Sequence, residues 1–211
     1  MTDRVVRIGG ASAFFGDSPQ GTPQLLSDPG GLDYLVYDSL SESVVGRLGA
    51  QARANPETGF VKRFIDLQLG PSLKEIAERG VKVITNSGGL APEKCAAAIR
   101  ARLAELGLKM KVAAVVGDNL TPRAEELKGL GLKDMYTGED FAAVLASADQ
   151  VNSITAYAGA FPIAQALGEG ADIVVCGRVV DSAPTLAALI HEFGWGPDDF
   201  DLLSAGTLAG H

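Results

Sequence analysis

The 211 residues are 46% hydrophobic and 21% charged, a balance that suits one large globular α/β domain with a sizeable core. The formal net charge of −8 argues against a nucleic-acid surface, which needs a basic patch, and no apolar stretch nears the ~20 residues of a membrane span. Cys95 and Cys176 are too few for a disulfide scaffold and lack metal-ligand spacing, and the opening MTDRVVRIGG has no apolar leader run, so a reducing cytoplasm is expected.

In chain order, Val5 to Ile8 predicts a first strand ended by Gly9 and Gly10. The loop Ala11 to Gly21 follows, with Ser12 and Asp17 in it. GGASAFFG is not a dinucleotide fingerprint, because G-x-G-x-x-G would place glycine where Ala11 stands. A short helix over Thr22 to Leu26 leads to a second strand, Tyr34 to Tyr37, with Asp38 at its end. Ser39 and Glu42 then have capping-box spacing before a helix carrying Val44, Val45 and Leu48, which makes Glu42 a cap. Phe60, Phe64, Leu67, Leu73 and Ile76 trace helical segments broken at Gly70-Pro71 and closed by Gly80.

Val81 to Thr85 is the third expected strand, running into Asn86-Ser87-Gly88-Gly89 and a helix opened by Pro92. Glycines ahead of a helix expose N–H groups that attract phosphate or carboxylate, so this turn is the best anion-binding candidate beside its ordinary structural reading. Met110 to Val116 is the fourth strand, followed by Asp118 and Asn119, a helix from Thr121-Pro122 and a glycine-rich stretch over Gly129 to Gly138. Short helices are read at Phe141 to Ala146 and Phe161 to Leu167, and a fifth strand between them at Val151 to Tyr157. The sixth strand, Ile173 to Cys176, runs into Gly177-Arg178 and then Asp181 and Ser182 ahead of a helix over Thr185 to Phe193. A last helix begins near Leu202.

Repeated strand–turn–helix units predict a single domain over residues 1–211. It would be a layered, mostly parallel sheet with helices on both faces, Rossmann-like, with a truncated α/β barrel as the alternative. Ligands bind outside the carboxyl ends of such strands. That edge collects Gly10, Ser12, Asp17, Asn86, Ser87, Gly88, Gly89, Asn119, Tyr157, Gly177 and Ser182 as binding candidates, and Asp38, Asp118, Arg178 and Asp181 as catalytic ones. The planar fork of Arg178 suits a carboxylate or phosphate, or else a salt bridge to a neighbouring aspartate. Crowded aspartates supply a general acid and base, bind Mg²⁺ through oxygen, or simply make turns. No G-x-S-x-G elbow or Walker sequence is present, and His191 sits inside a helix, so zinc chemistry is poorly supported.

The stretches RIGGASAFFGDS, DYLVYDSL, VKVITNSGGLAPEKCAAAI, VVGDNL, ADIVVCGRVVDSAPTLAALIHEFGW and AGTLAGH resemble the acyclic terpene utilisation (AtuA) family over nearly the whole chain. Family members continue beyond the position of His211, so the chain is expected to be an N-terminal part. The resemblance implies a bacterial cytoplasmic protein encoded beside acyl-CoA enzymes for branched or terpenoid acids, and it assigns no catalytic residue. Three functions follow as expectations. The first is a hydratase- or lyase-type enzyme binding an anionic acyl-CoA at the strand ends. The second is a non-catalytic subunit, homo-oligomeric or bound to a C-terminal partner chain. The third is an Mg²⁺-dependent hydrolase. No other cofactor and no metal ligand set is expected.

Overall fold

The computed structural model describes residues 4–147 and 151–211. Five apolar runs form one parallel sheet: β1 (Ile8–Ser12), β2 (Tyr34–Tyr37), β3 (Lys82–Thr85), β4 (Val112–Val115) and β5 (Ile173–Cys176). Their order is β1-β2-β3-β5-β4, open at β1 and β4. Around it lie α1 (Gly21–Leu26), α2 (Glu42–Ala54), α3 (Leu73–Arg79), α4 (Pro92–Glu105), α5 (Ala124–Lys128), α6 (Phe141–Ser147), α7 (Phe161–Gly168), α8 (Ala183–Phe193) and α9 (Phe200–Gly210).

Alternation along each strand divides the core in two. Leu35, Val83, Ile173 and Val175 pack on one face with Val44, Leu48, Phe64, Ile76 and Ile99. Tyr34, Val36, Ile84, Val174 and Cys176 pack on the other with Ile163, Leu167, Ala187 and Ile190. Both faces are covered, which is why the strands read as continuous apolar runs rather than alternating ones. Each such side chain contributes at most ~1.5–3 kcal/mol by leaving water.

Handedness explains which helix goes where. The chain steps from β1 to β2, β3 and β4 in one direction, skipping one place before β4. Right-handed crossovers therefore put α1 to α4 on one face. It then turns back to insert β5, which sends α7 and α8 to the opposite face. The connections leaving β3 and β5, neighbours in the sheet, thus depart to opposite sides. The topological switch point lies between them, beside Asn86 and Arg178.

Four sequence expectations need correcting. The expected strand over Val151 to Tyr157 is an irregular strap with isolated bridges, Asn119 to Thr155 and Ala158 to Val179. A strand in a sheet covered on both faces would bury Asn152, Ser153 and Thr155 without partners. The strap instead crosses the carboxyl edge, where Ala156 N–H donates to Asp118 O (2.9 Å) and Ala158 N–H to Arg178 O (3.2 Å). The first strand begins at Ile8 and runs through Gly9 and Gly10 to Ser12, because Gly9 faces close-packed Leu25 and Leu32. The broken helix at Gly70-Pro71 is a π-helical turn, Phe64–Leu69, followed by a 3₁₀ turn, Gly70–Ser72. The helix expected from Thr121 opens as a 3₁₀ turn, Thr121–Arg123, before α5.

Candidate functional site

A cavity of about 690 Å³ opens at the carboxyl ends of β1 and β2. Gly10, Ser12, Asp17, Asp38 and Asp181 line it, joined by Thr185 at the start of α8, by Gly210 at the end of α9 and by His211. β1 carries a bulge here, the register slipping between Gly10 and Ser12. A bulge re-aims side chains at the end of a strand, and the Ser12 Oγ is buried with no hydrogen-bond partner among the described residues. Asp17 folds the preceding loop back, its carboxylate accepting the Ala13 N–H at 2.8 Å.

Asp38 is held from behind by Asn86, which is fully buried. The Ser39 N–H donates to Asn86 Oδ1 at 2.6 Å, so the amide must turn its NH₂ outward, and Nδ2 donates to Asp38 Oδ1 at 2.5 Å. Burial lifts the Asp38 carboxyl above the ordinary aspartate range. The Asn86 hydrogen bond opposes this, and the negative charge of Asp181 adds to it.

Arg178 lies under Asp181 and is only 4% exposed. Nη1 donates to Asp181 Oδ1 (2.8 Å) and to Leu40 O (3.2 Å). Nη2 donates to Glu42 Oε1 and to the Tyr157 hydroxyl, both at 3.0 Å. The strap lays the Tyr157 ring over the guanidinium, 4.3 Å from its carbon to the ring centroid, and the Tyr157 hydroxyl donates to Glu42. Of the two roles weighed for Arg178, the salt bridge is the one seen. Both Nη groups are taken up by the protein, while Nε is buried with no hydrogen-bond partner among the described residues, and the side chain positions Asp181.

Glu42 is correspondingly not a capping-box member. The N-cap of α2 is Ser41, and Ser39 is buried with its Oγ 2.7 Å from Ser87 Oγ. Glu42 is the first residue of α2. Hydrogen bonds from Tyr157, from backbone N–H and from Arg178 pull its carboxyl down to about 2.

The glycine turn after β3 offers an anion nothing. Ser87 N–H donates to Thr85 Oγ1, Gly88 N–H to Cys176 O, Gly89 N–H to Asn86 O and Leu90 N–H to Gly59 O. Ser87, Gly88 and Gly89 are buried and structural. Asp118 is structural too: it is 5% exposed, accepts the Arg178 N–H at 2.7 Å, and occupies the space a Cβ on Gly177 would need. Burial raises its carboxyl above the usual range. Asn119 closes a turn, accepting from Thr121 N–H at 3.0 Å, and Ser182 is buried beneath Gly210.

The sequence-named residues therefore separate. Gly10, Ser12, Asp17, Asp38 and Asp181 meet at the cavity, with Asn86 and Arg178 behind them. The three lining carboxylates make it acidic, with no Lys or Arg among the described residues of its walls, so it suits the uncharged end of a ligand rather than a phosphate. No group of three His, Cys, Asp or Glu among the described residues is placed to hold a metal ion. Thr185 was missed as an ordinary residue in the first turn of α8, and Gly210 and His211 because only the packing of α9 against α8 brings them to the cavity.

Cys95 and Cys176 are free and buried, and no helix among the described residues is long and apolar enough to cross a membrane. Residues 6–211 match the model of the family described as Acyclic terpene utilisation family protein AtuA. No curated protein and no solved structure matches the chain.

Proposed function

The chain belongs to the acyclic terpene utilisation family, AtuA, and we propose that it is an enzyme adding water to, or removing it from, a branched acyl thioester. The reacting carbons sit in the strand-end cavity. One observation carries this reading: Asp38 is a carboxyl with raised proton affinity, fixed by Asn86, in a cavity it shares with a carboxylate that Arg178 keeps paired. Two carboxyls held in different electrostatic settings take different roles, Asp38 moving the proton and the paired Asp181 staying ionised.

In the hydration direction Asp38 takes a proton from water as the water oxygen bonds to the β-carbon. The double-bond electron pair moves to the α-carbon, and the Asp38 carboxylic acid returns a proton there. The net change is one water added and no oxidation. The unpartnered Ser12 hydroxyl donates to the thioester oxygen, and Asp181 orients the water.

The test is incubation with a branched 2-enoyl-CoA, following loss of the conjugated absorbance and the mass of the hydrated product. Asp38→Asn is expected to slow the reaction about a hundredfold or more, the usual worth of a general acid–base group. Turnover by Asp38→Asn at the wild-type rate would overturn the assignment.

A second reading, a subunit that docks on a partner chain, draws on the outward Phe200 and Leu208 of α9, 71% and 80% exposed. A monodisperse monomer with full activity counts against it.

A further inference from the structure

A second cavity, about 630 Å³, lies on the α2 side of the loop that walls the first. Ala13 and Asp17 of that loop face the strand-end cavity, and Phe15 faces this one. Its floor is apolar: Phe15, Val44, Leu48, Phe60 and Val61. Its volume falls within the range of small-molecule sites.

The rim carries Arg47, Lys62 and Arg63 against one carboxylate, Glu57, and its two arginines are unpaired among the described residues. Arg47 stands over the Phe15 ring, its guanidinium carbon 5.0 Å from the centroid, and makes no ion pair among the described residues. Arg63 lines the same rim and has no ion pair or side-chain hydrogen bond among the described residues. The nearby acids are already engaged, Asp66 with Lys62 at 2.5 Å and Glu57 with Lys94 at 3.1 Å. In a chain of net charge −8, two unneutralised arginines over an apolar floor are a specific arrangement. Guanidinium forks bind carboxylate and phosphate alike.

We infer that this groove is a binding site for an amphipathic anion: an aliphatic chain against Phe15, Leu48 and Phe60, with its anionic head between Arg47 and Arg63. The inference stands apart from the proposed hydration, because it needs no chemistry at Asp38. It also places the anion away from the strand-end turn, whose N–H groups are filled.

Calorimetric titration with octanoate, octanamide and octanoyl-CoA tests it. Octanoate or octanoyl-CoA should bind the wild-type protein, with octanamide about tenfold weaker or worse. The Arg47→Gln/Arg63→Gln variant should lose about tenfold for the anionic probes, while its thermal midpoint falls only slightly, because the one contact removed is that of Arg47 with the Phe15 ring. Asp38→Asn should bind them like wild type, which separates this site from the cavity. Comparing octanoate with octanoyl-CoA tells whether a carboxylate or the thioester's phosphates are the preferred head. Equal affinity for octanamide, undiminished binding by the double variant, or no binding of either anion would overturn the inference.

Discussion

Glu42 stands at the start of α2 and meets Arg178 and Tyr157 from two distant parts of the chain. It is mostly exposed, yet its carboxylate takes hydrogen bonds from Tyr157 and Arg178, and its proton affinity falls to about 2. A group depressed in the folded state adds stability above its unfolded value, and that stability is lost as pH falls through the folded value. Glu42→Gln should therefore lower the urea midpoint at neutral pH, and the difference should close between about 4.5 and about 2. A difference constant with pH would show that the Glu42 charge is not what holds Arg178 and the strap. Asp38 shows the opposite shift, and the sequence placed it at the right strand end. Its partner Asn86 was legible for the same reason, since both follow apolar runs directly. Glu42 was not legible, because S-x-x-E is the spacing of a cap and only the fold reveals that the helix starts three residues after Ser39.

At the scale of elements, the turn after β5 holds the site together. Gly177 lets the Asp118 carboxylate lie against the backbone and accept the Arg178 N–H, which fixes the root of the side chain that pairs with Asp181. Gly177→Ala drives a Cβ into that carboxylate, and overpacking of this kind costs about 1–3 kcal/mol. Urea denaturation should show that loss, and an unchanged midpoint would mean that Asp118 is free to move aside. Four of the five strands and most helices were readable, because apolar runs bounded by glycine and proline carry their own punctuation. The strap over Val151 to Tyr157 misled because Val, Ile and Thr favour strands, while burial and sheet order decide whether one forms. Gly9 and Gly10 misled in the other direction: both lie inside β1 rather than in a turn, and Gly9 packs closely against Leu25 of α1 and Leu32.

For the molecule as a whole, two features of the site could not be read along the chain. One is the strand order, whose reversal at β5 sets the switch point and brings Arg178 beside Asn86. The other is how charge is distributed. The acidic total hides an acidic strand-end cavity and a separate arginine-rimmed groove, with only the loop around Phe15 between them. In the proposed reaction the reacting end of the ligand occupies the cavity formed by β1, β2 and the start of α8. Hydrogen exchange across the whole chain, with and without a saturating branched 2-enoyl-CoA, is the measurement to make. Slowed exchange in the 12–18 loop and around 181–185 is the predicted footprint. A footprint confined to the 86–91 turn, or no footprint at all, would contradict that placement.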